Sequence, residues 1–355
     1  MGSVGLGPAA QDDVRRSMRF AQAKFRPQAL PVTLVTRSAL QDRLTVGAGQ
    51  HLTIVTGTAG TGKSVLLSSW AAARAPGTTA WLSCDPADAD PVRFWTGFIE
   101  AFQPVAPGFG ADGARLLRGS AGRLVDVAAS IARDARKLPA GQAIVVDDFQ
   151  YATVTRDLAH LAGCWPARTA QLVLSSRIDP PLPLHRLRMT DELCELRDRD
   201  LALSLDESRD LLANLGVRVG SAELALLHQC TEGWAAALQM AALSLRGTRD
   251  PAQAARDLDI HSHPIAEYFI SEVLDRQPSE VAQFMLDTSA LEKLTAPACA
   301  AITGRQDAAV LLHSIDAASL FLVAIDEERT TFRYQPLVRQ ALRAKLHAVG
   351  LAQAV

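Results

Sequence analysis

Residues 52–70 read LTIVTGTAGTGKSVLLSSW, and the octapeptide Gly57-Thr58-Ala59-Gly60-Thr61-Gly62-Lys63-Ser64 within them constrains the fold more than any other feature. In the spacing G-x-x-x-x-G-K-S the glycines let the backbone wrap, so that successive N–H groups converge on phosphate oxygens. A glycine-rich turn could match by chance. Here, however, an apolar run precedes the motif and apolar residues at helical spacing follow it, the strand–loop–helix context that a phosphate loop needs. The helix opening near Lys63 adds the positive end of its dipole. Nucleotide phosphates are therefore expected against Thr58, Ala59, Gly60, Thr61, Gly62, Lys63, Ser64 and Val65. Lys63 should reach the β- and γ-phosphates, and Ser64 should bind magnesium.

Up to about residue 178, further short apolar runs alternate with helical stretches, the signature of a parallel sheet with crossover helices. The expected strands are 51–56, 78–83, 142–148 and 170–176. Two of them end in chemistry. Ala143 to Val146 lead into Asp147-Asp148. Asp147 is expected to hold magnesium through water, and Asp148 to orient or deprotonate an attacking water. Arg177 closes LVLSSR, where a guanidinium can sense or stabilise a γ-phosphate. Apolar strands also end in Asp or Arg without functional cause, so these two readings lean on the phosphate loop. The expected catalytic set is Lys63, Asp148 and Arg177, and the metal set Ser64 and Asp147.

Past Pro180, Pro181 and Pro183 strands fade and helices take over. Ser204 with Glu207 reads as a capping box, and Gly216 as the stop of that helix. In GWAAALQMAALSLRG, Trp234, Leu238, Ala242 and Leu245 share one face, with Gly247 past the end. From about 264 the order is four helices, a two-stranded ribbon and a last helix, which suggests a winged helix. The expected divisions are an extension at 1–29, an α/β phosphate-loop domain at 30–194, an all-α domain at 195–260 and a winged-helix domain at 261–355.

The formal net charge of −2 argues against a surface dedicated to nucleic acid. No apolar run approaches the roughly eighteen residues of a membrane span. The N-terminus MGSVGLGPAAQDDVRRS has neither a signal-peptide core nor a basic amphipathic pattern. Five scattered cysteines without C-x-x-C read as reduced core thiols, so a cytoplasmic location is expected. His261 and His263 lack the partners of a metal site and read as a plain loop.

Four stretches in order carry a resemblance. WLSCDPADADPVRFWTGFIEAF (81–102) is similar to the W-x-S-L-D-x-x-D-N-D-P-x-R-F-W signature of one group of bacterial regulators, and 180–196, 233–247 and 332–346 follow that group's order. Over roughly 30–346 the chain resembles the nucleotide-binding oligomerisation module of the large ATP-binding LuxR-type regulators, the maltose-regulon-activator type of STAND ATPase. The resemblance implies three domains closed around ADP. ATP replaces ADP under an unknown inducer, the winged-helix part swings out, molecules self-associate through their ATPase domains, and slow hydrolysis resets the switch. It places Val35 and Arg37 along the adenine pocket and Pro183 near the base. DNA would be met only through a C-terminal domain that this chain does not contain.

Two departures stand out. The group's Y-H-P-L motif, whose His bonds the β-phosphate, reads Tyr334-Gln335-Pro336-Leu337 here. A Gln amide donates a hydrogen bond but carries no charge, so the ADP lock is expected to be weaker by about 1 kcal/mol. The Asn of D-N-D-P is Ala89, which puts any side-chain role there in doubt. Two rival readings stay open. An AAA+-type remodeller would turn ATP over quickly. A scaffold that retains nucleotide without chemistry would be indifferent to Asp148→Asn. At most, a slow ATPase is expected.

Overall fold

The computed structural model describes residues 21–353, apart from 120–122, 154, 167–168, 247, 249–250, 257–269, 272, 318–319 and 327. His261, His263 and Gly247 lie outside the described residues. After the helix α1 (Ser38–Val46), β1 (Leu52–Thr56), β2 (Thr79–Ser83), β3 (Gln142–Asp147), β4 (Ala170–Ser176) and β5 (Leu193–Leu196) form one parallel sheet. Its order is β2-β3-β4-β1-β5, so β4 lies between the phosphate-loop strand and the Asp147 strand.

Every residue of β1 and β4 is buried, as strands covered on both faces require. The period of two divides them cleanly. Leu52, Ile54, Ile144, Val146, Leu172 and Leu174 face one core, with Phe94, Trp95, Phe98 and Trp165. Val55, Val145 and Val173 face the other, with Leu40, Leu66, Leu67 and Trp70. The aromatic side comes from α3 (Pro91–Phe102), which starts where Asp90 accepts the Val92 N–H and a proline occupies the first turn. Each ring it buries is worth about 1.5–3 kcal/mol relative to exposure.

The strand β5 corrects the expectation that the parallel sheet has its last strand at 170–176. It pairs with β1 from Leu52↔Leu193 to Val55↔Leu196. Four residues with Cys194 and Glu195 at their centre carry too little apolar pattern to declare a strand. The exposed edge of β1 makes them one.

The remaining helices flanking the sheet are α2 (Lys63–Ala73), α4 (Ala111–Arg118), α5 (Leu124–Ala135), α6 (Thr155–Cys164), α7 (Leu184–Met189) and the single-turn α8 (Asp198–Leu201). Then come α9 (Leu205–Asn214), α10 (Ser221–Thr231), α11 (Ala235–Leu245) and α12 (Pro251–Arg256). The capping box is present, with Glu207 N–H on Ser204 and Ser204 N–H on Glu207, and Gly216 follows α9 at φ 79°. The winged-helix part has α13 (Ser279–Thr288), α14 (Ala296–Thr303), α15 (Ala308–Ala317), the antiparallel β6 (Leu322–Ala324) and β7 (Phe332–Tyr334), and α16 (Pro336–Gln353). Tyr334 is buried and its hydroxyl shares a 2.8 Å hydrogen bond with Thr288, which pins the ribbon to α13. The helical part and the winged-helix part share one continuous buried cluster from Leu203 to Leu342. They pack as one body against the loop side of the sheet.

The signature at 81–102 acts structurally. Asp85 and Asp88 cap each other's turn, and both carboxylates receive the buried ammonium of Lys24 from the segment ahead of α1. At Ala89 the carbonyl accepts the Thr153 hydroxyl at 2.6 Å, a backbone contact that does not depend on the side chain.

Candidate functional site

The phosphate loop leaves β1 at Thr56 and enters α2 through Gly60 (φ 77°) and Gly62 (φ 87°), a left-handed backbone that glycine alone adopts without strain. Gly57 is also required: a Cβ there would lie 2.8 Å from Leu201 and 2.9 Å from the Asp198 carboxylate. That carboxylate accepts the Thr58 N–H at 2.8 Å and its hydroxyl at 3.2 Å, bracing the outer turn of the loop. Lys63 is buried and donates to the carbonyls of Gly57 and Thr58, the latter at 2.9 Å. Burial away from water lowers its pKa from 10.5 to about 8, with Arg177 adding to the fall and Asp198, Asp148 and Asp147 opposing it. A buried cation with only carbonyl partners is poised to take an anion.

Asp147 ends β3, buried, with the Ser64 hydroxyl against its carboxylate. Burial raises its pKa, and the Ser64 hydrogen bond partly offsets the rise. Among the described residues there is no cluster of three His, Cys, Asp or Glu side chains that would hold a metal unaided. The Ser64 hydroxyl with one carboxylate is a donor set that fits magnesium shared with phosphate oxygens. Asp148 adopts φ 54°, which swings it out of the strand. Gln150, which the sequence reading missed, donates to Asp148 at 2.8 Å and accepts the Arg177 N–H at 3.0 Å. One amide thus ties the β3 and β4 ends together.

Beside the loop lies a cavity of about 400 Å³. Its walls are the segment ahead of α1 (Pro31, Thr33, Leu34, Val35), the outer face of α2 (Val65, Leu66, Ser69) and α11 (Ala235, Ala236, Met240, Leu243). Gly60, Thr61 and Gly62 close its loop end, so cavity and loop form one continuous site. Arg37 borders it, but its guanidinium is engaged elsewhere. It binds Glu207 at 3.1 Å and the carbonyls of Leu201 and Ala202 at 2.6 and 2.9 Å, clamping the start of α9. The structure does not bring Pro183 or Gln335 to the cavity. Pro183 caps α7, and the Gln335 N–H donates to the Phe321 carbonyl at 3.0 Å. The α11 wall had a readable signal. The helix is apolar on both faces, with Leu238 fully buried and Leu243 half exposed, and such a helix has something to cover on each side.

The helical part also holds the loop itself. The Trp234 indole N–H donates to the Ala59 carbonyl at 3.0 Å, and the Ala236 N–H donates to the Gly60 carbonyl at 3.1 Å. Gly233 lets the chain arrive, at φ 72° and with Leu203 O only 2.4 Å from where a Cβ would sit.

Comparison with known proteins agrees with this architecture. The family described as the MalT winged helix domain matches residues 270–354. The HTH-type transcriptional regulator MalT of Cronobacter sakazakii is 30% identical over 328 residues, 90% of this chain and 36% of that protein. Over nine tenths of its length the chain is similar to MalT, and its winged helix is of the MalT type. The serine/threonine-protein kinase PknK of Mycobacterium tuberculosis is 31% identical over 338 residues, 92% of this chain and 30% of that protein. The chain spans about a third of the length of these relatives. In fold it is similar to the Walker-type ATPase paby2304 of Pyrococcus abyssi, at a TM-score of 0.61 and 15% identity over 90% of this chain and 98% of that one. No described helix is long and apolar enough to cross a membrane.

Proposed function

We propose that the module is a nucleotide-controlled switch, closed with ADP and opened by ATP, that hydrolyses ATP slowly as its reset. One observation carries this reading: the cavity is walled on one side by the sheet unit and on the other by α11, so a nucleotide there touches both bodies at once. A ligand that favours one packing of two bodies shifts their equilibrium by its differential affinity. The two relatives are named for different outputs, a kinase and a transcriptional regulator, yet both match over nearly the whole of this chain. That supports a regulatory role for the shared segment, with self-association in the ATP form and any DNA contact supplied from elsewhere in a longer protein.

In this reading Lys63 and the N–H groups of residues 60–65 hold the phosphates, and Val35 with the apolar cavity wall holds adenine. Magnesium, when bound, neutralises phosphate charge, and Ser64 and Asp147 would hold it. Asp148 orients water, kept in place by Gln150, while Arg177 faces the γ-phosphate. Arg37 shapes the base end by clamping α9 rather than by contact through its guanidinium. The test is to denature purified protein and identify the released nucleotide by ion-exchange chromatography. Stoichiometric ADP is expected. ATP, or an empty site that turns ATP over quickly, would overturn the closed-switch reading in favour of a remodelling enzyme.

A further inference from the structure

The nucleotide site is built partly from outside the phosphate loop. A trans peptide holds its C=O and N–H on opposite sides of one plane, so fixing a carbonyl also aims the N–H bonded to it. Two successive carbonyls of the loop are fixed from α11. Trp234 holds Ala59 O at 3.0 Å, and Ala236 N–H holds Gly60 O at 3.1 Å. The N–H groups of Gly60 and Thr61 belong to those two peptides and must point away from α11. Among the described residues neither N–H makes a hydrogen bond of good geometry. The Trp234 ring is itself held, edge-on to Phe321 at 4.8 Å between centroids, and Phe321 O receives the Gln335 N–H. Contacts therefore run without a gap from the winged-helix ribbon to the phosphate loop.

We propose that Trp234 is a positioning residue for phosphate. Resting on the nucleotide-binding reading, its indole N–H turns the Ala59–Gly60 peptide so that the Gly60 N–H meets a phosphate oxygen, and Ala236 does the same for Thr61. The helical part thereby completes the phosphate site, and the winged-helix part steadies it through Phe321. Drawing these parts away from the sheet releases both peptides and weakens phosphate binding without altering any loop residue.

The experiment is calorimetric titration of the whole chain with ADP and with adenosine, a probe that lacks phosphate. Trp234→Phe keeps a ring against Phe321 but removes the N–H together with part of the indole's bulk, and the adenosine arm reports the packing loss by itself. Its ADP dissociation constant should rise about tenfold, while that of adenosine stays within about twofold. Equal loss for both ligands would make Trp234 a packing residue and overturn the proposal, as would an unchanged ADP constant. A wild-type chain that binds no ADP at all would instead sink the nucleotide reading on which the proposal rests. Should Trp234→Phe fail to fold, Ala236→Pro serves. The first-turn N–H it removes makes no bond within the helix, and inorganic pyrophosphate, which does not reach the cavity, should bind several-fold more weakly. Unchanged pyrophosphate binding there overturns the proposal too.

Discussion

The two ends of the nucleotide site are made in opposite ways. The phosphate end comes from one run of eight residues plus two strand termini, and it is polar, with its only ammonium buried and its pKa lowered to about 8. The base end is a mostly apolar cavity assembled from residues 31–41, α2, Leu203 with Leu211 of α9, and α11, segments separated by as much as about two hundred residues of chain. One end acts by charge and backbone direction, which demand fixed residue types. The other acts by area, which many apolar side chains supply equally well. It follows that the ends should fail separately, and ADP and adenosine tell them apart.

Lys63→Ala should give the largest separation. Hydrogen bonds to charged groups contribute about 1.5–3 kcal/mol each. Losing the ammonium should thus weaken ADP binding at least about 100-fold, near 3 kcal/mol, and leave adenosine unmoved. If adenosine binding falls in step with ADP, Lys63 supports the whole site and the division into two ends is wrong.

A pH titration of the wild-type chain sharpens the same division with a smaller effect. Phosphate oxygens favour the charged amine, so the Lys63 pKa is higher in the complex than the value of about 8 in the empty site. Above that value binding must take up a proton, and ADP affinity should fall toward a limit of about tenfold per pH unit. Adenosine affinity should stay flat. Stability runs the other way. The unfolded chain binds the Lys63 proton more tightly, so the penalty is complete below about pH 8 and is relieved as pH rises toward 10.5. An ADP affinity that is level from pH 7 to 9.5 would mean that Lys63 stays charged throughout.

What could be read in the sequence follows the same line. The phosphate loop, the Asp147 and Arg177 strand ends and the capping box at Ser204 are local patterns, in which neighbouring residues share one task. Four strands were legible because burial on both faces leaves continuous apolar runs. The fifth, at Leu193, was not, because pairing with β1 rather than composition makes it a strand. Gln150, Asp198 and Trp234 were invisible as site residues for a similar reason. Each acts on the loop or its neighbours from another segment, and Asp198 reaches Thr58 across 140 positions. The signature at 81–102 was legible as a resemblance, yet its carboxylates turn out to anchor Lys24.

The smallest expected effect tests where the phosphate end stops. Gln335 acts in this structure through its backbone, on Phe321 O, and its side chain has no hydrogen-bond partner among the described residues. If that side chain meets phosphate only when ADP is bound, Gln335→His replaces a neutral donor with one that charges below about pH 6.5. ADP release, followed by chase with unlabelled nucleotide, should then slow about fivefold, near 1 kcal/mol. The slowing should be larger at pH 6 than at pH 8, because only the imidazolium adds charge. Equal slowing at both values would assign the gain to shape rather than charge. Unchanged release would mean that Gln335 stands outside the site, and that the winged-helix part reports to the loop only through Phe321 and Trp234.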